Sequence, residues 1–305
     1  MAVTRVVAIT GCDSGLGWAL AARAAREGLV TVAGMYDGTE TNAAKALKAL
    51  SAHPCELDVT SPESVVGFRD YVQRLLKDHP NYRLYAVVNN AGIMTIGDYE
   101  WQSTEMIERV VNTNLLGTMR VISQFLPDLR VCALEGSVKP RIINVSSHCG
   151  LQPLPGFAPY SASKAGVMAL TQALRMEQRP YGLTAVAFIP GGFVGASNLM
   201  ALQAKSIRSM QEHLSKEQKT FYERTMTSLA DYLQPASVNM NFDCLKDENI
   251  IETFMKAMNE QYPRELYKVE SWRYRFYYSL MRLPLPERFR YWIIKKFIAF
   301  PVISN

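Results

Sequence analysis

Between Val6 and Ile189 the chain alternates short β-branched apolar runs with longer stretches of helical periodicity, and no other feature restricts its fold as much. Strands are expected at Val6–Thr10, Val30–Gly34, Cys55–Leu57, Leu84–Asn89, Arg141–Ser146 and Thr184–Ile189. Helices are expected at Leu16–Glu27, Thr41–Leu50, Pro62–Lys77, Thr104–Leu129 and Tyr160–Gln178. A helix between two strands carries the chain back across one face of the sheet, so the strands lie parallel. Right-handed crossovers then give a doubly wound, Rossmann-type α/β sheet with helices on both faces.

A chain of 305 residues, 48% of them hydrophobic, can bury one large core without metal or disulfide staples. This excludes a disordered, collagenous or disulfide-framework protein. The five cysteines (Cys12, Cys55, Cys132, Cys149, Cys244) are scattered and form no CxxC pair, which fits a reducing compartment. No apolar run reaches about eighteen residues, so a bilayer-spanning helix is not expected. The first residues lead directly into a strand and do not read as a signal or transit peptide, and a cytoplasmic location is expected.

The net charge of +5 is unevenly spread. Nine basic residues against three acidic ones lie between Arg264 and Lys296, leaving the rest of the chain at −1. The distribution argues against a nucleic-acid binder and for a local basic segment. After Pro190 the pattern changes. Leu199, Met200, Leu202, Ile207, Met210, Leu214, Phe221 and Met226 are interspersed with charges, as in a helical insertion over 196–230. The residues from 231 onward read as a C-terminal extension of the same single domain, whose core and site span 4–195. In the tail, Phe289, Trp292, Ile293, Phe297 and Phe300 fall on one helical stripe with Arg288, Arg290 and Lys295 outside it. Such a helix can lie in a membrane interface, dock on its own domain or form a dimer contact.

The first strand ends in Thr10-Gly11-Cys12-Asp13-Ser14-Gly15-Leu16-Gly17, a TGxxxGxG turn that opens a helix. Glycines let the backbone turn sharply and approach a pyrophosphate, and the helix N-terminus offers amides and a positive dipole end to that anion. Such turns also occur without a ligand, but this one lies at the first strand–helix junction. Asp58, after the third strand, is either an acceptor for an adenine amino group or the N-cap of the next helix. Asn90-Ala91-Gly92 closes the fourth strand, where small residues let a dinucleotide cross the strand ends.

Tyr160-Ser161-Ala162-Ser163-Lys164 puts a phenol and an ammonium one turn apart on a helix face. A free tyrosine has a pKa of about 10 and moves protons poorly at neutral pH. A cation roughly 4–6 Å away favours the phenolate and lowers that value by about 1–3. Ser147, at the end of the preceding strand, can hydrogen-bond the same substrate oxygen. Asn114 sits within an expected helix that it disfavours. YxxxK alone often marks only a solvated helix face; following the glycine turn and a strand ending in Ser146-Ser147, it carries more weight.

Together these elements resemble the short-chain dehydrogenase/reductase family, from residue 4 to about 200. The glycine turn, Pro190-Gly191-Gly192-Phe193, Trp272-Arg273-Tyr274 and Leu283-Pro284 are most similar to the branch of retinol, 17β-hydroxysteroid and D-β-hydroxybutyrate dehydrogenases. The resemblance implies hydride exchange between a nicotinamide and a carbinol carbon, with Tyr160 as acid/base. It makes Lys164 the partner that lowers the Tyr160 pKa and binds the nicotinamide ribose. Ser147 would orient the substrate oxygen, and Asn114 would hold a water relaying protons from Lys164. The implied cofactor contacts are Gly11, Ser14, Gly15, Leu16, Gly17, Asp37, Asp58, Asn90, Ala91, Gly92, Tyr160, Lys164, Pro190, Gly191, Phe193, Val194 and Ser197. Ser197 would replace a threonine that often contacts the carboxamide.

A 2′-phosphate needs a nearby Arg or Lys, whereas a free 2′-hydroxyl prefers a carboxylate. No basic residue follows the second strand before Lys45, and Asp13 would repel added phosphate charge, so NAD is the expected cofactor with Asp37 as ribose partner. Ser147, His148, Cys149 and Tyr160 are the expected substrate contacts. Residues 148–159 offer no Arg or Lys to a carboxylate. With Ile93, Met94, Ile96, Phe193 and the insertion, they suit an apolar pocket, unless these side chains are ordinary core. A steroid or other apolar lipid alcohol or ketone is expected, ecdysteroids included; retinol and 3-hydroxybutyrate are alternatives. A non-catalytic NAD-binding regulatory protein is the competing class, although all four catalytic positions are intact. No residues have metal-ligand spacing, and His53, His79 and His213 read as structural. A homo-oligomer, dimer or tetramer, is expected, with peripheral contact to a membrane such as the endoplasmic reticulum through the tail.

Overall fold

A computed structural model describes residues 3–192, 199–234 and 241–298. Its centre is a seven-stranded sheet in the order β3-β2-β1-β4-β5-β6-β7, parallel at every pairing. The strands are β1 (Thr4–Ile9), β2 (Val30–Met35), β3 (His53–Glu56), β4 (Tyr82–Asn89), β5 (Arg141–Val145), β6 (Thr184–Ile189) and β7 (Leu266–Lys268). The order reverses between β1 and β4, so the carboxyl ends of these two strands flank the switch point.

Side chains along each strand alternate between two buried faces, as the strand period requires. Val7 and Ile9 of β1 enter one core with Ala86 and Val88 of β4, while Val6 and Ala8 enter the other with Leu84 and Val87. The first core is covered by α1 (Gly15–Arg26), α2 (Asn42–Ala49) and α9 (Glu248–Asn259). The second is covered by α3 (Pro62–Asp78), α5 (Thr118–Glu135) and α6 (Ala158–Gln178). Helix starts follow local chemistry. Thr41 caps α2 by accepting from the Ala44 amide, and Ser61 caps α3 ahead of Pro62.

The helix expected over Thr104–Leu129 is broken. It consists of α4 (Thr104–Val111), a π-helical segment Asn112–Gly117, and α5. Such single-turn bulges recur at functional sites, and this one buries Asn114 completely. β7 was not expected; three residues are too few to show a period.

The insertion forms α7 (Gln203–His213) and α8 (Lys216–Leu233), the latter opened by a Ser215–Gln218 capping box. The tail forms α10 (Trp272–Met281) and α11 (Glu287–Ile298). The expected tail stripe divides. Ile293 and Phe297 pack on Tyr277, Tyr278 and Met281 of α10, while Phe289 and Trp292 are 45% and 53% exposed. Phe300 lies outside the described residues. No helix among the described residues is long and apolar enough to cross a membrane.

Candidate active site

The glycine turn joins β1 to α1 at the switch point. Gly11 and Gly15 have φ of 69° and 56°, in the left-handed region that favours glycine. A β-carbon on Gly17 would lie 2.0 Å from the Gly11 carbonyl oxygen, so the helix can approach the turn only as glycine. Ser14 precedes α1 in extended backbone and makes no side-chain cap bond, leaving the first turn of the helix uncapped by side chains. The Gly15 amide donates to the Phe242 carbonyl at 2.9 Å, and Leu16 is buried. Across the switch point, Thr10 Oγ1 accepts from the amides of Asn90 and Ala91, each at 3.0 Å, and Asn90 Nδ2 donates to the Thr10 and Gly11 carbonyls. Left-handed glycines and an uncapped helix start at one strand-end crevice fit a pyrophosphate.

Tyr160 and Lys164 lie on α6 beside this crevice, 8% and 5% exposed. A buried amide relay sets the helix against the sheet. Asn89 Nδ2 donates to Asn144 Oδ1 at 2.7 Å, and Asn144 Nδ2 donates to Thr171 Oγ1 at 2.8 Å. Lys164 Nζ donates to the Val145 carbonyl at 2.9 Å and lies 6.0 Å from the centre of the Tyr160 ring. Asn114 Oδ1 accepts from the Ile93 amide at 2.8 Å, and its Nδ2 donates to Ile93 O and Ser163 Oγ. A β-carbon at Gly92 would be 3.3 Å from both Lys164 Nζ and Asn114 Oδ1, which places these three residues together. Ser147 follows β5; its Oγ accepts from the Cys149 amide at 3.2 Å, and its side chain is near enough to the Tyr160 phenol to pull that group's pKa down.

Burial dominates the electrostatics of this pair. The phenol of Tyr160 is held well above the usual tyrosine range, first by burial and then by the neighbouring Cys149, against the pull of Ser147. Burial also lowers Lys164 to about 8 and raises the Cys149 thiol to about 11. Desolvation is thus the largest influence on both groups, pushing the phenol up and the ammonium down.

Other expected residues divide. Asp58 is not the N-cap of α3, a role taken by Ser61; its Oδ1 accepts from the amide and hydroxyl of Thr60 at 2.8 and 2.7 Å. Asp13 accepts from the amides of Tyr36 and Asp37 at 3.0 and 2.8 Å, closing the end of β2, and Asp37 is exposed beside it. Burial raises the Asp13 carboxyl. His148 is buried, and its ring stacks on Tyr274 and Tyr278 of α10. Pro190 is buried and Gly191 turns with φ of 84°. Phe193, Val194 and Ser197 lie outside the described residues. Sequence reasoning missed Gln203, which is fully buried. Its Oε1 accepts from the Ile96 amide at 3.1 Å, and its Nε2 donates to the Met94 carbonyl at 2.8 Å. It thereby fastens α7 to the segment after Gly92. Met94, Ile96, Trp101, Met200, Ile207 and Met210 form one apolar cluster with Tyr160.

A parallel sheet with a pyrophosphate-shaped turn at its switch point, faced by a buried tyrosine and lysine, defines a nucleotide-dependent oxidoreductase of the Rossmann type. The short chain dehydrogenase family model matches residues 5–206, and the chain belongs to that family. It is 31% identical over 246 residues to the mitochondrial D-β-hydroxybutyrate dehydrogenase of Rattus norvegicus, covering 77% of this chain and 70% of that protein. Against the bovine counterpart the identity is 35%, and the match spans 56% of that protein. Retinol dehydrogenase 7 of Mus musculus is 32% identical, covering 94% of this chain and 88% of that one. A short-chain dehydrogenase/reductase structure from Burkholderia phymatum in complex with NAD has the same fold. Its TM-score is 0.65 and its identity 23%, over 87% of this chain and 89% of that one.

Proposed function

We propose that the chain interconverts a hydroxyl and a carbonyl on an apolar lipid alcohol, a steroid before others and ecdysteroids among them, with NAD(H) as hydride carrier. The apolar cluster packed on Tyr160 carries this reading, because it offers a substrate methyl and ring contacts beside the reacting group. Similarity to a retinol dehydrogenase supports it. The bound nicotinamide supplies the hydride acceptor at its C4 carbon. The pyrophosphate would rest on Gly11, Ser14, Gly15, Leu16 and Gly17, with Asn90, Ala91, Gly92 and Asp58 along the adenosine side. Lys164 and Tyr160 would hold the nicotinamide ribose. In reduction the buried phenol of Tyr160 gives its proton to the substrate oxygen; in oxidation Tyr160 would act as the phenolate, favoured by Lys164 and by the positive charge of an oxidised nicotinamide, and take the proton of the substrate hydroxyl. Ser147, which lies near that phenol, orients the substrate oxygen. Asn114 would hold a relay water toward Lys164.

The Asp13 carboxylate accepts from the Asp37 amide at the end of β2, so two acidic residues adjoin there, and this supports NAD over NADP. Purified protein is to be assayed with each cofactor against a steroid panel, all-trans-retinol and 3-hydroxybutyrate. Steroid or retinoid turnover with NAD is expected. Turnover of 3-hydroxybutyrate alone overturns the lipid assignment, and tighter NADP binding overturns the cofactor.

The tail supports a peripheral contact with an anionic membrane such as the endoplasmic reticulum surface. Trp272 and Phe276 are 77% and 67% exposed, and the exposed arginines Arg273, Arg275, Arg282, Arg288 and Arg290 belong to the same tail segment. Pelleting with phosphatidylserine vesicles should be lost in Trp272→Glu/Trp292→Glu; unchanged pelleting removes the contact. A homo-oligomer is supported by exposed Leu116 in the π-helical segment and Met119 in the first turn of α5, and sedimentation as a monomer overturns it.

A further inference from the structure

His148 follows Ser147 directly and is buried, yet its contacts are with the C-terminal extension, more than a hundred residues away in the chain. Its imidazole lies nearly parallel to Tyr278, 16° between planes and 4.7 Å between centres, and 27° and 5.2 Å from Tyr274. Tyr274 and Tyr278 are one turn apart on α10 and so share a face. His148 Nε2 approaches the Val269 carbonyl at 3.4 Å, and Nδ1 lies 3.8 Å from Glu270 Oε1, a carboxylate that Lys268 holds at 2.8 Å. The same helix also reaches the turn after β6. A β-carbon on Gly192 would be 3.5 Å from the Tyr274 hydroxyl.

We propose that His148 is a positioning residue: its stack on Tyr274 and Tyr278 lets α10 hold Ser147 in place against Tyr160. The coupling is short. Ser147 Oγ accepts from the Cys149 amide and its carbonyl accepts from the Gly150 amide at 3.0 Å, so the turn carrying His148 and the catalytic hydroxyl move as one piece. Aromatic stacking of this kind adds to the stabilisation from burial and favours one loop position among close alternatives. α10 thus belongs to the active site although none of its residues carries out the proton transfer. The inference rests on the reading that Ser147 orients the substrate oxygen.

The test compares His148→Ala with His148→Phe, which keeps a flat ring. Turnover of the best substrate in the panel should fall roughly 10–100-fold in His148→Ala, because displacement of a catalytic group by about 1 Å has effects of that size. NADH binding, read by fluorescence, and substrate KM should stay within about twofold. His148→Phe should restore most of the turnover. Tyr278→Ala should reproduce the defect from the other side of the joint, and Tyr278→Phe should not. Amide exchange should accelerate over 146–157 in both alanine variants. Wild-type turnover in His148→Ala, no rescue by phenylalanine, or unchanged exchange overturns the proposal. If the wild-type protein turns over no substrate in the panel, the functional reading fails, while the exchange measurement still decides whether the joint exists.

Discussion

Lys164 is bonded to the Val145 carbonyl at 2.9 Å and stands 6.0 Å from the centre of the Tyr160 ring, one turn back on the same helix. The ammonium is thus anchored to the end of β5. Both groups are buried, and burial drives each toward its neutral form. The phenol is thereby held in the form that can donate a proton.

Tyr160→Phe removes the oxygen that exchanges the proton and keeps the ring in its apolar cluster. Turnover should fall by about 10²–10⁴, the range of a general acid–base contribution. NADH binding should remain. Near-normal rates in this variant would take Tyr160 out of the chemistry.

Lys164 also makes stability depend on pH. Its folded value of about 8 lies below the unfolded value of 10.5. Between these two the unfolded chain binds a proton that the folded chain does not, so stability rises with pH across that window. Below pH 8 both states are charged and the full cost of burying the ammonium remains. Tyr160 and the Cys149 thiol, whose values are raised, act with the opposite sign above about pH 9. The informative quantity is therefore the difference between wild type and Lys164→Met in urea unfolding at pH 7.5 and 9.5. Wild type should gain on the order of 1–2 kcal/mol relative to the variant. Parallel pH profiles contradict this.

Gly17→Ala places a β-carbon 2.0 Å from the Gly11 oxygen and 2.4 Å from Asn90 Nδ2. The Gly11 contact is backbone and cannot swing aside, so the turn must open. A loss of about 1–3 kcal/mol or more is expected, together with loss of NADH binding. Gly67→Ala in α3 is the control, because it faces open space and should add up to about 1 kcal/mol of helix stability. Equal melting temperatures for the two variants would remove the close-packing argument.

Strands were legible where both sides of a strand are apolar. The run Thr184–Ile189 was expected as a strand and forms β6 with those bounds. Asn114 was legible as an oddity, since its amide disfavours a helix, and it lies in the π-helical segment. What stayed hidden depends on distant partners. His148 gives no local sign that its ring stacks on α10, and Gln203 sits in a stretch that reads as polar surface. The upward shift of the Tyr160 phenol was missed for the same reason. The spacing to Lys164 is local, whereas the burial that overrides it is set by α7, the 93–97 segment and the loop after β5.

Gln203 makes that tertiary contribution testable. Its amide is fully buried and bonds the Ile96 amide, the Met94 carbonyl and the Leu199 carbonyl. These bonds hold α7 over the segment after Gly92, where Met210 packs against Gly97. Gln203→Leu keeps nearly the same volume but leaves the Ile96 amide and Met94 carbonyl unpaired, and a buried group without a partner costs about 1–3 kcal/mol. The penalty is felt where α7 meets the segment after Gly92, because among the described residues neither the sheet nor the glycine turn bonds this side chain. The expected result is therefore split: KM for an apolar substrate rises several-fold, NADH binding is unchanged, and global unfolding shifts little. A variant with unchanged KM, or one that loses NADH binding in parallel, would show that α7 does not form the substrate wall.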